Sequence, residues 1–310
     1  MEERFRINGP RFEINRGAQE YPEAFEFVPE PPERLYVIGD PCALKEGLAV
    51  VGARKATPYG LNATKMLAGR AAELGVVVIS GGARGCDAAA HEAALAAGGK
   101  TVAFLGGGCD EPYPKSNVDL FRRIVEGGGA VASEFPWHYP PKPFMFRKRN
   151  RLIAGLARAT LIVEAGLPSG TFSTADEALA ANKDVLAVPG SIFSATSAGS
   201  NMLLAQGAMP IVSREVFDST IMSLFPEVVG GGYGAEQLAL FAGNGADASV
   251  DDPILAALAA DPMRLEEIIA LFADGDDPMA AATRVMAHVS LLEGAGALTR
   301  FPDGRFGAVG

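Results

Sequence analysis

Short apolar runs alternate with alanine- and leucine-rich segments along the first two thirds of the chain. The apolar runs predict β-strands at residues 48–52, 76–80, 101–105, 129–133, 160–164, 184–188 and 209–212. The segments between them predict helices at residues 58–74, 86–97, 116–126, 146–157, 171–182 and 199–206. Strands buried on both faces have continuous apolar runs, and strands that alternate with helices form parallel sheets covered by those helices. The pattern therefore predicts an α/β fold with a Rossmann-like, doubly wound parallel sheet.

The pattern also divides the chain into four parts. We predict a short N-terminal extension at 1–45, the Rossmann-like core at 46–226, a glycine-rich linker at 227–249 and a small terminal domain at 250–310. The linker has many glycines and almost no strand pattern. The terminal domain has three helical patterns and ends in a hairpin pattern that turns at 302–304. Three helices closed by a hairpin are typical of a winged-helix domain.

The composition is that of a globular protein, with 48% hydrophobic and 21% charged residues in a chain of 310. No apolar run approaches the roughly 18 residues that a membrane helix needs, and the charged N-terminal residues contain no signal-peptide core. We therefore predict a cytoplasmic protein with no membrane partner. The three cysteines and three histidines are scattered, so the sequence predicts no disulfide framework, no metal site and no cofactor.

Glycine-rich segments follow four of the predicted strands, at residues 80–87, 106–114, 164–174 and 189–192. Ligands gather at the carboxyl ends of parallel strands, and glycine lets backbone N–H groups approach an anion closely. Four such loops at one edge favour phosphate binding over the alternative that each glycine only permits a tight turn. None has the spacing of a dinucleotide fingerprint or a P-loop, so NAD and ATP chemistry are not supported. The candidate residues in these loops are Gly82, Arg84, Gly85, Ser169, Gly170, Thr171, Gly190 and Ser191.

Positive charge is concentrated in one segment of a chain whose net charge is −10. Residues 142–158 carry six basic residues and no acidic residue, whereas a solvated helix face usually mixes the two signs. Arg54 and Lys55 add positive charge directly after the first predicted core strand. Phe144 and Phe146 are candidates for stacking on bases, although phenylalanines that enter a helix are more often core residues. The candidate residues in the basic segment are Lys142, Phe144, Phe146, Arg147, Lys148, Arg149, Asn150 and Arg151.

Six motifs of the chain resemble, in the same order, those of the DNA-processing protein A family, also called DprA or Smf. They are VGARKATPYG, SGGARGCDAAAH, FRKRNRLIAGLAR, SGTFSTADEAL, VPGSI and GSNMLLAQGA. The resemblance implies a Rossmann-like core that binds single-stranded DNA, forms a homodimer, protects incoming DNA and helps to load a RecA-type recombinase in natural transformation. It implies that Arg54, Arg149, Asn150 and Arg151 line the DNA groove, and Asn201 belongs to the last motif.

Two residues depart from the family's second motif. Arg84 stands where members usually have a small or aliphatic residue, and Cys86 stands where they usually have isoleucine. The additional charge of Arg84 either strengthens a phosphate contact or signals a different ligand.

A nucleotide-processing enzyme is the alternative function. A related Rossmann-like group, the LOG-type phosphoribohydrolases, also uses glycine loops at this edge and has a catalytic glutamate three residues after its Gly-Thr. Here Gly170-Thr171 is followed at that spacing by Thr174. The missing carboxylate disfavours hydrolysis, so we predict a DNA-binding protein that is not an enzyme.

The terminal domain carries most of the negative charge. Residues 246–310 hold eleven acidic and four basic residues, which is a net charge of −7. Winged helices often bind DNA, but phosphate would repel one this acidic. We therefore interpret the domain as a protein-contact or regulatory module, with a passive solubilising domain as the alternative.

Overall fold

The strands and helices of the computed structural model follow the predicted alternation closely. The structure describes residues 5–167, 169–228, 253–260, 262–272, 278–294, 297–301 and 305–308. The chain divides into two units, Met1–Gly232 and Tyr233–Gly310, and each is described here by itself. The predicted linker lies almost entirely outside the described residues, and the predicted hairpin turn at 302–304 lies outside them as well.

Within the described part of the first unit, a nine-stranded sheet forms the centre. Its strands are β1 (Arg11–Asn15), β2 (Arg34–Gly39), β3 (Gly47–Val51), β4 (Val78–Ser80), β5 (Thr101–Phe104), β6 (Ala130–Ser133), β7 (Ala157–Ile162), β8 (Asp184–Ala187) and β9 (Met209–Pro210). The spatial order is β1-β2-β6-β5-β4-β3-β7-β8-β9. Neighbours from β6 to β9 are parallel, whereas β1 and β2 are antiparallel additions at one edge. The prediction of a largely parallel α/β sheet is confirmed.

Helices cover both faces of this sheet. They are α1 (Pro58–Glu73), α2 (Cys86–Ala96), α3 (Val118–Glu126), α4 (Pro143–Leu156), α5 (Thr171–Ala180), α6 (Ala198–Ala205) and α7 (Arg214–Leu224), with short 3-10 helices at Glu23–Phe27, Pro41–Ala43 and Lys115–Asn117. Leu48 and Val50 of β3 pack with residues of α1, α2 and α7. Ala49 and Val51 belong to the core that contains residues of α4, α5 and α6. Because strand side chains alternate between faces, the sheet is doubly wound. In the described ranges, no helix is long and apolar enough to cross a membrane.

The position of β3 determines where a ligand site can form. The chain adds β4, β5 and β6 on one side of β3 and then returns to add β7, β8 and β9 on the other side. Leu48 pairs with Ala159 and Val51 with Ile162, so the loops after β3 and β7 leave the sheet side by side. In open α/β sheets, ligands bind at this reversal, outside the carboxyl ends of the strands. The loops after β3, β4, β5, β7 and β8 are therefore the ones that build the site.

Two features of the first unit go beyond the pattern-based prediction. The N-terminal extension is part of the core, because β1 and β2 belong to the same sheet. Ile14 is the one buried residue of β1, so this edge strand has no apolar run that could reveal it. α7 forms where no helix is predicted. The Ser213 hydroxyl caps it by accepting the N–H of Val216 at 3.3 Å, and Phe217 and Ile221 anchor it in the core.

The described residues of the second unit form three helices and a two-stranded antiparallel pair. These elements are α8 (Pro253–Ala260), α9 (Leu265–Phe272), α10 (Pro278–Gly294), β10 (Leu298–Arg300) and β11 (Phe306–Ala308). Ile254, Ile268, Val289 and Phe306 are buried together in a small core of their own. The order of the elements agrees with the predicted three helices and hairpin, and the assignment as a winged helix stays a prediction.

Candidate nucleic-acid interface

Glycines after β4 let this loop pack directly against its neighbours. Gly85 has a φ of 79°, and a Cβ there would lie 2.2 Å from the carbonyl oxygen of Ala53, in the loop after β3. Gly82 has a φ of 66°, and a Cβ there would lie 2.4 Å from the ring of Phe121. Both positions need glycine for backbone conformation and for space. These two candidate residues therefore have a structural role, independent of any phosphate.

The guanidinium group of Arg149 is buried at the carboxyl edge of the sheet. Its Nη1 donates to the carbonyl oxygen of Gly81 at 2.7 Å and to that of Phe104, and so joins the ends of β4 and β5. Burial lowers the pKa of Arg149 to about 10, and the carboxylate of Asp87 opposes this shift. Asp87 is buried too, which raises its pKa, and it accepts the N–H groups of Gly81 at 3.2 Å and Ala83 at 3.3 Å. Arg149 thus holds two site loops together.

Arg151 is a second interior arginine of the basic segment. Its Nη2 lies 2.6 Å from Oε2 of Glu134, and the two side chains are 7% and 9% exposed. Lys148 lies 3.4 Å from the same oxygen but is 43% exposed. Asn150 accepts the Nε–H of Arg149 at 3.3 Å. The resemblance places Arg149, Asn150 and Arg151 along the DNA groove, but the structure places both arginines away from solvent, paired within the protein.

Arg54 and Phe146 form the centre of an exposed surface at the carboxyl edge. The guanidinium carbon of Arg54, in the loop after β3, lies 5.8 Å from the ring centroid of Phe146, on α4. The ring of Phe146 also meets that of Tyr113, with 5.5 Å between centroids, and Tyr113 is 52% exposed. A Cβ at Gly106 would lie 2.6 Å from the Phe146 ring, so the glycine after β5 makes room for it. Positive charge and aromatic faces therefore meet on one surface.

Further exposed residues extend this surface. Arg84 is exposed, and its Nε lies 3.4 Å from the hydroxyl oxygen of Ser116. The side chain of Asn117 donates to the carbonyl oxygens of Gly82 and Ala83, at 3.0 and 3.2 Å, so the loops after β4 and β5 are bonded to each other. We use the term carboxyl-edge surface for the half-buried Phe146 and for exposed residues of α4, of the residue before it and of the loops after β3, β4 and β5, namely Arg54, Lys55, Arg84, Tyr113, Lys142, Phe144, Arg147 and Lys148.

A cavity of about 420 Å³ lies between the loops after β3, β7 and β8. Its wall includes Glu164, whose carboxylate accepts the N–H of Thr57 at 2.8 Å and the Thr57 hydroxyl at 2.9 Å. A Cβ at Gly60 would lie 2.2 Å from Oε2 of Glu164, so α1 begins directly against this carboxylate. Tyr59 donates its hydroxyl to the carbonyl oxygen of Pro189 at 2.7 Å. A carboxylate of the protein thus occupies the helix N-terminus at which phosphates often bind.

The remaining candidate residues lie in the loops after β7 and β8 and in the helices α5 and α6 that follow these loops. Two of them line it, namely Gly190 and Ser191. The Asn201 side chain donates to the carbonyl oxygen of Gly190 and accepts its N–H, both at 3.0 Å, so Asn201 holds this loop in shape. Ser169 accepts the N–H of Thr171 at 3.1 Å at the start of α5, and Gly170 between them is exposed.

Tyr113 and Glu164 are site residues that the pattern does not single out. Tyr113 stands between two prolines in the glycine-rich loop 106–114, and an aromatic residue in a ligand-facing loop is a usable signal. Glu164 is an acidic residue two positions beyond a buried strand, at the reversal of the sheet order. Among the described residues, no group of histidine, cysteine, aspartate or glutamate side chains is placed to hold a metal ion.

The fold and the site define a doubly wound α/β protein with a basic and aromatic surface at the carboxyl edge of its sheet. The model of the DNA recombination-mediator protein A family matches residues 13–221, and the chain belongs to this family. Protein Smf of Escherichia coli (strain K12) is 39% identical over 196 residues, which are 63% of this chain and 52% of that protein. DNA processing protein DprA of Streptococcus pneumoniae is 38% identical over 197 residues, which are 63% of this chain and 69% of that protein. The chain thus spans about half the length of its E. coli relative.

Two solved structures are similar to this one. The X-ray structure of DNA processing protein A from Streptococcus pneumoniae has a TM-score of 0.62 at 35% identity, and the match covers 66% of this chain and 72% of that chain. DNA processing protein A from Helicobacter pylori, described for its single-stranded DNA binding mode, has a TM-score of 0.64 at 30% identity, over 72% of this chain and 99% of that chain. The resemblance of the six motifs to this family is confirmed.

Proposed function

We propose that this chain binds single-stranded DNA through the carboxyl-edge surface. The observation that carries the proposal is the pair of Arg54 and Phe146, which puts a positive charge 5.8 Å from an aromatic ring at a ligand-binding edge. A single strand offers both phosphates and unstacked base faces, and proteins bind it with cations and aromatic rings together. In a duplex the base faces are stacked on each other, so the rings have no base to stack on.

Whether a candidate side chain is exposed or buried decides which contact we propose for it. Phosphates meet the exposed cations Arg54, Lys55, Arg84, Lys142, Arg147 and Lys148. Bases stack on Tyr113, on Phe144, which is 60% exposed, and on the accessible part of Phe146. The buried residues Arg149 and Arg151 act as positioning residues that hold the surface from inside. Arg84 lies beside a neutral hydroxyl, so its charge is available to a phosphate. This favours the interpretation that Arg84 strengthens a phosphate contact over the interpretation that it signals a different ligand.

We further propose that the chain acts in the cytoplasm as a homodimer, protects incoming DNA and helps to load a RecA-type recombinase. Membership of the family supports this role, and the H. pylori relative supports its DNA-binding part. The terminal unit is proposed to be a winged-helix domain that contacts proteins, because its net charge disfavours contact with phosphates. A binding role is favoured over catalysis because Thr174, buried and neutral, stands at the position of the phosphoribohydrolase glutamate.

Fluorescence anisotropy with a labelled single strand and a duplex of the same sequence, at two salt concentrations, tests the proposal. The single strand should bind more tightly, and its affinity should fall as salt rises because phosphate contacts release counterions. Equal affinity for the two forms at both salt concentrations would contradict single-strand binding at this surface.

A further inference from the structure

The strand β1 forms one edge of the nine-stranded sheet and pairs with β2 on its inner side. Gly39 of β2 donates its N–H to the carbonyl oxygen of Pro10 at 2.9 Å. In an antiparallel pair, hydrogen-bonded positions alternate with positions whose backbone groups point the other way. The N–H and C=O groups of Arg11 and Glu13 therefore point outward, away from β2.

This outer edge is open. In the part of the chain that the structure describes, the outward backbone groups of Arg11 and Glu13 have no hydrogen-bond partner. Four of the five residues of β1 are exposed, so no other segment packs over the strand. An edge strand with unpaired N–H and C=O groups can pair with a further strand.

The charges of β1 match those of a second β1 in the antiparallel direction. Arg11 and Glu13 are two positions apart, so their side chains lie on the same face of the strand. If a two-fold axis passes through Phe12, Arg11 of each copy lies opposite Glu13 of the other. If the axis passes through Glu13 instead, the two Glu13 carboxylates lie opposite each other and repel. The charge pattern therefore favours the pairing centred on Phe12.

The side chains of Arg11 and Glu13 remain accessible although both have contacts within the chain. Arg11 is paired with Asp110, and its side chain is 31% exposed. Glu13 lies 3.0 Å from Arg34 and accepts the indole N–H of Trp137 at 2.9 Å, and its side chain is 43% exposed. In the pair, Arg11 would lie between its own Asp110 and Glu13 of the second copy. Such a network of alternating charges is more favourable than one isolated surface ion pair.

The other face of β1 offers an apolar contact at the same axis. Phe12 lies opposite the buried Val37 of β2 but is itself 40% exposed. In the pairing centred on Phe12, the two Phe12 residues form a pair without backbone hydrogen bonds, whose Cα atoms are about 4.5 Å apart. Their rings would cover each other, and aromatic cross-strand pairs stabilise sheets.

We propose that two copies of this chain pair antiparallel through β1, with the two-fold axis at Phe12. The two nine-stranded sheets then form one continuous sheet. Each outward N–H of Arg11 and Glu13 donates to a carbonyl oxygen of the second copy, and each Arg11 is paired with a Glu13. This inference rests on the proposed homodimer and names its interface, and single-strand binding at the carboxyl-edge surface does not depend on it.

Sedimentation of the full chain tests the interface through the residue on the axis. The wild-type chain should sediment as a dimer. Phe12→Lys puts two like charges opposite each other, so this variant should shift to the monomer, and so should Phe12→Asp. An equimolar mixture of the two variants should restore the dimer, because lysine then lies opposite aspartate. Phe27→Lys, which replaces an aromatic residue that is 67% exposed, is the matched control and should remain dimeric.

Cysteine cross-linking tests the register of the two strands. Cys42 is exposed, so the variants are made in a Cys42→Ser chain. Phe12→Cys should form a disulfide-linked dimer on oxidation, because the expected Cα separation is suitable for a disulfide. Glu13→Cys should not, because the two residues at position 13 are offset along the strands. Cross-linking of Glu13→Cys in place of Phe12→Cys would contradict the proposed register.

The outcomes separate this inference from the proposed function. A monomeric wild-type chain would contradict both the β1 interface and the proposed homodimer. A wild-type dimer that persists in Phe12→Lys and does not cross-link through Phe12→Cys would contradict the β1 interface alone. A mixture of the Phe12→Lys and Phe12→Asp chains that stays monomeric would contradict the axis at Phe12. The anisotropy titrations of single-strand binding are independent of all these results.

Discussion

Nη1 of Arg149 lies 2.7 Å from the carbonyl oxygen of Gly81, and a Cβ at Gly81 would come within 2.6 Å of the same nitrogen. The arginine thus occupies space that any other residue at position 81 would fill. Because Arg149 also bonds the end of β5, one interior cation holds the loops on which the carboxyl-edge surface is built. The basic segment therefore has an interior part that stabilises the site and an exposed part that is available to a ligand.

Replacing Arg149 should lower the stability of the protein, because this side chain bonds within the protein and not to DNA. Arg149→Met leaves Asp87 buried without its cation and two carbonyl oxygens without their donor, so the free energy of unfolding should fall by about 3 to 5 kcal/mol. Chemical denaturation measures this change. Arg147→Met, two residues away and exposed, is the matched control and should change the free energy by no more than about 0.5 kcal/mol. Full stability with lost DNA binding in Arg149→Met would identify a direct contact instead.

The sequence predicts the core of this fold well, because a parallel strand that is buried on both faces is a continuous apolar run in the sequence. The predicted strand at 101–105 is observed at Thr101–Phe104, and the predicted helix at 58–74 is observed at Pro58–Glu73. The edge strand β1 is mostly exposed, so no such run reveals it. Burial of individual arginines could not be predicted either. Arg147 and Arg149 are chemically identical, and their exposure depends on how α4 is rotated against the sheet and on an acidic partner far away in the sequence.

Arg54→Ala should weaken single-strand binding for every sequence, because the guanidinium meets a phosphate and reads no base. The magnitude of the slope of log affinity against log salt should fall by about 0.7, the value for one single-strand phosphate contact. Anisotropy titrations over a series of salt concentrations measure the slope. Lys65→Ala, an exposed cation further along α1, is the control and should leave the slope unchanged. A slope that is also unchanged in Arg54→Ala would place the phosphate contact elsewhere.

Tyr113→Ala should weaken binding without changing the salt dependence. The exposed ring lies against Phe146, and loss of one stacked base costs about 1 to 3 kcal/mol, or at least a fivefold loss of affinity. Affinity and salt slope come from the same titrations. Phe27→Ala removes another aromatic side chain, 67% exposed, and should have no effect on either quantity. Wild-type affinity in Tyr113→Ala would show that the bases stack elsewhere.

His91 should make the stability of the protein depend on pH. Burial, reinforced by the charge of Arg149, lowers the pKa of His91 to about 3. Below the ordinary pKa of about 6.5, the unfolded chain takes up a proton that the folded chain does not, so stability present above that pH is lost as the pH falls. Between pH 7 and pH 5 this loss amounts to about 2 kcal/mol. Chemical denaturation at both pH values should show a loss smaller by that amount in His91→Leu than in the wild-type chain.

Removal of the terminal unit should preserve single-strand binding. A chain that ends after Val228 keeps the sheet, its helices and the ion pair of Arg158 with Glu227, at 2.6 Å, so the first unit should still fold. It should bind a single strand at least as tightly as the full chain, because the deletion removes twelve acidic and four basic residues, a net charge of −8 that repels phosphate. Any gain in affinity should shrink as salt rises, since screening at about 0.15 M limits such fields to roughly 8 Å.

A full-length variant distinguishes this charge effect from a direct contact of the terminal unit with DNA. Glu266→Gln together with Glu293→Gln neutralises two exposed acidic residues while the unit stays in place. It should show a smaller gain in affinity than the truncated chain, with the same sensitivity to salt. Circular dichroism establishes that each chain is folded. If the truncated chain folds but loses binding at every salt concentration, the terminal unit contacts DNA, and its negative charge is not what governs its role.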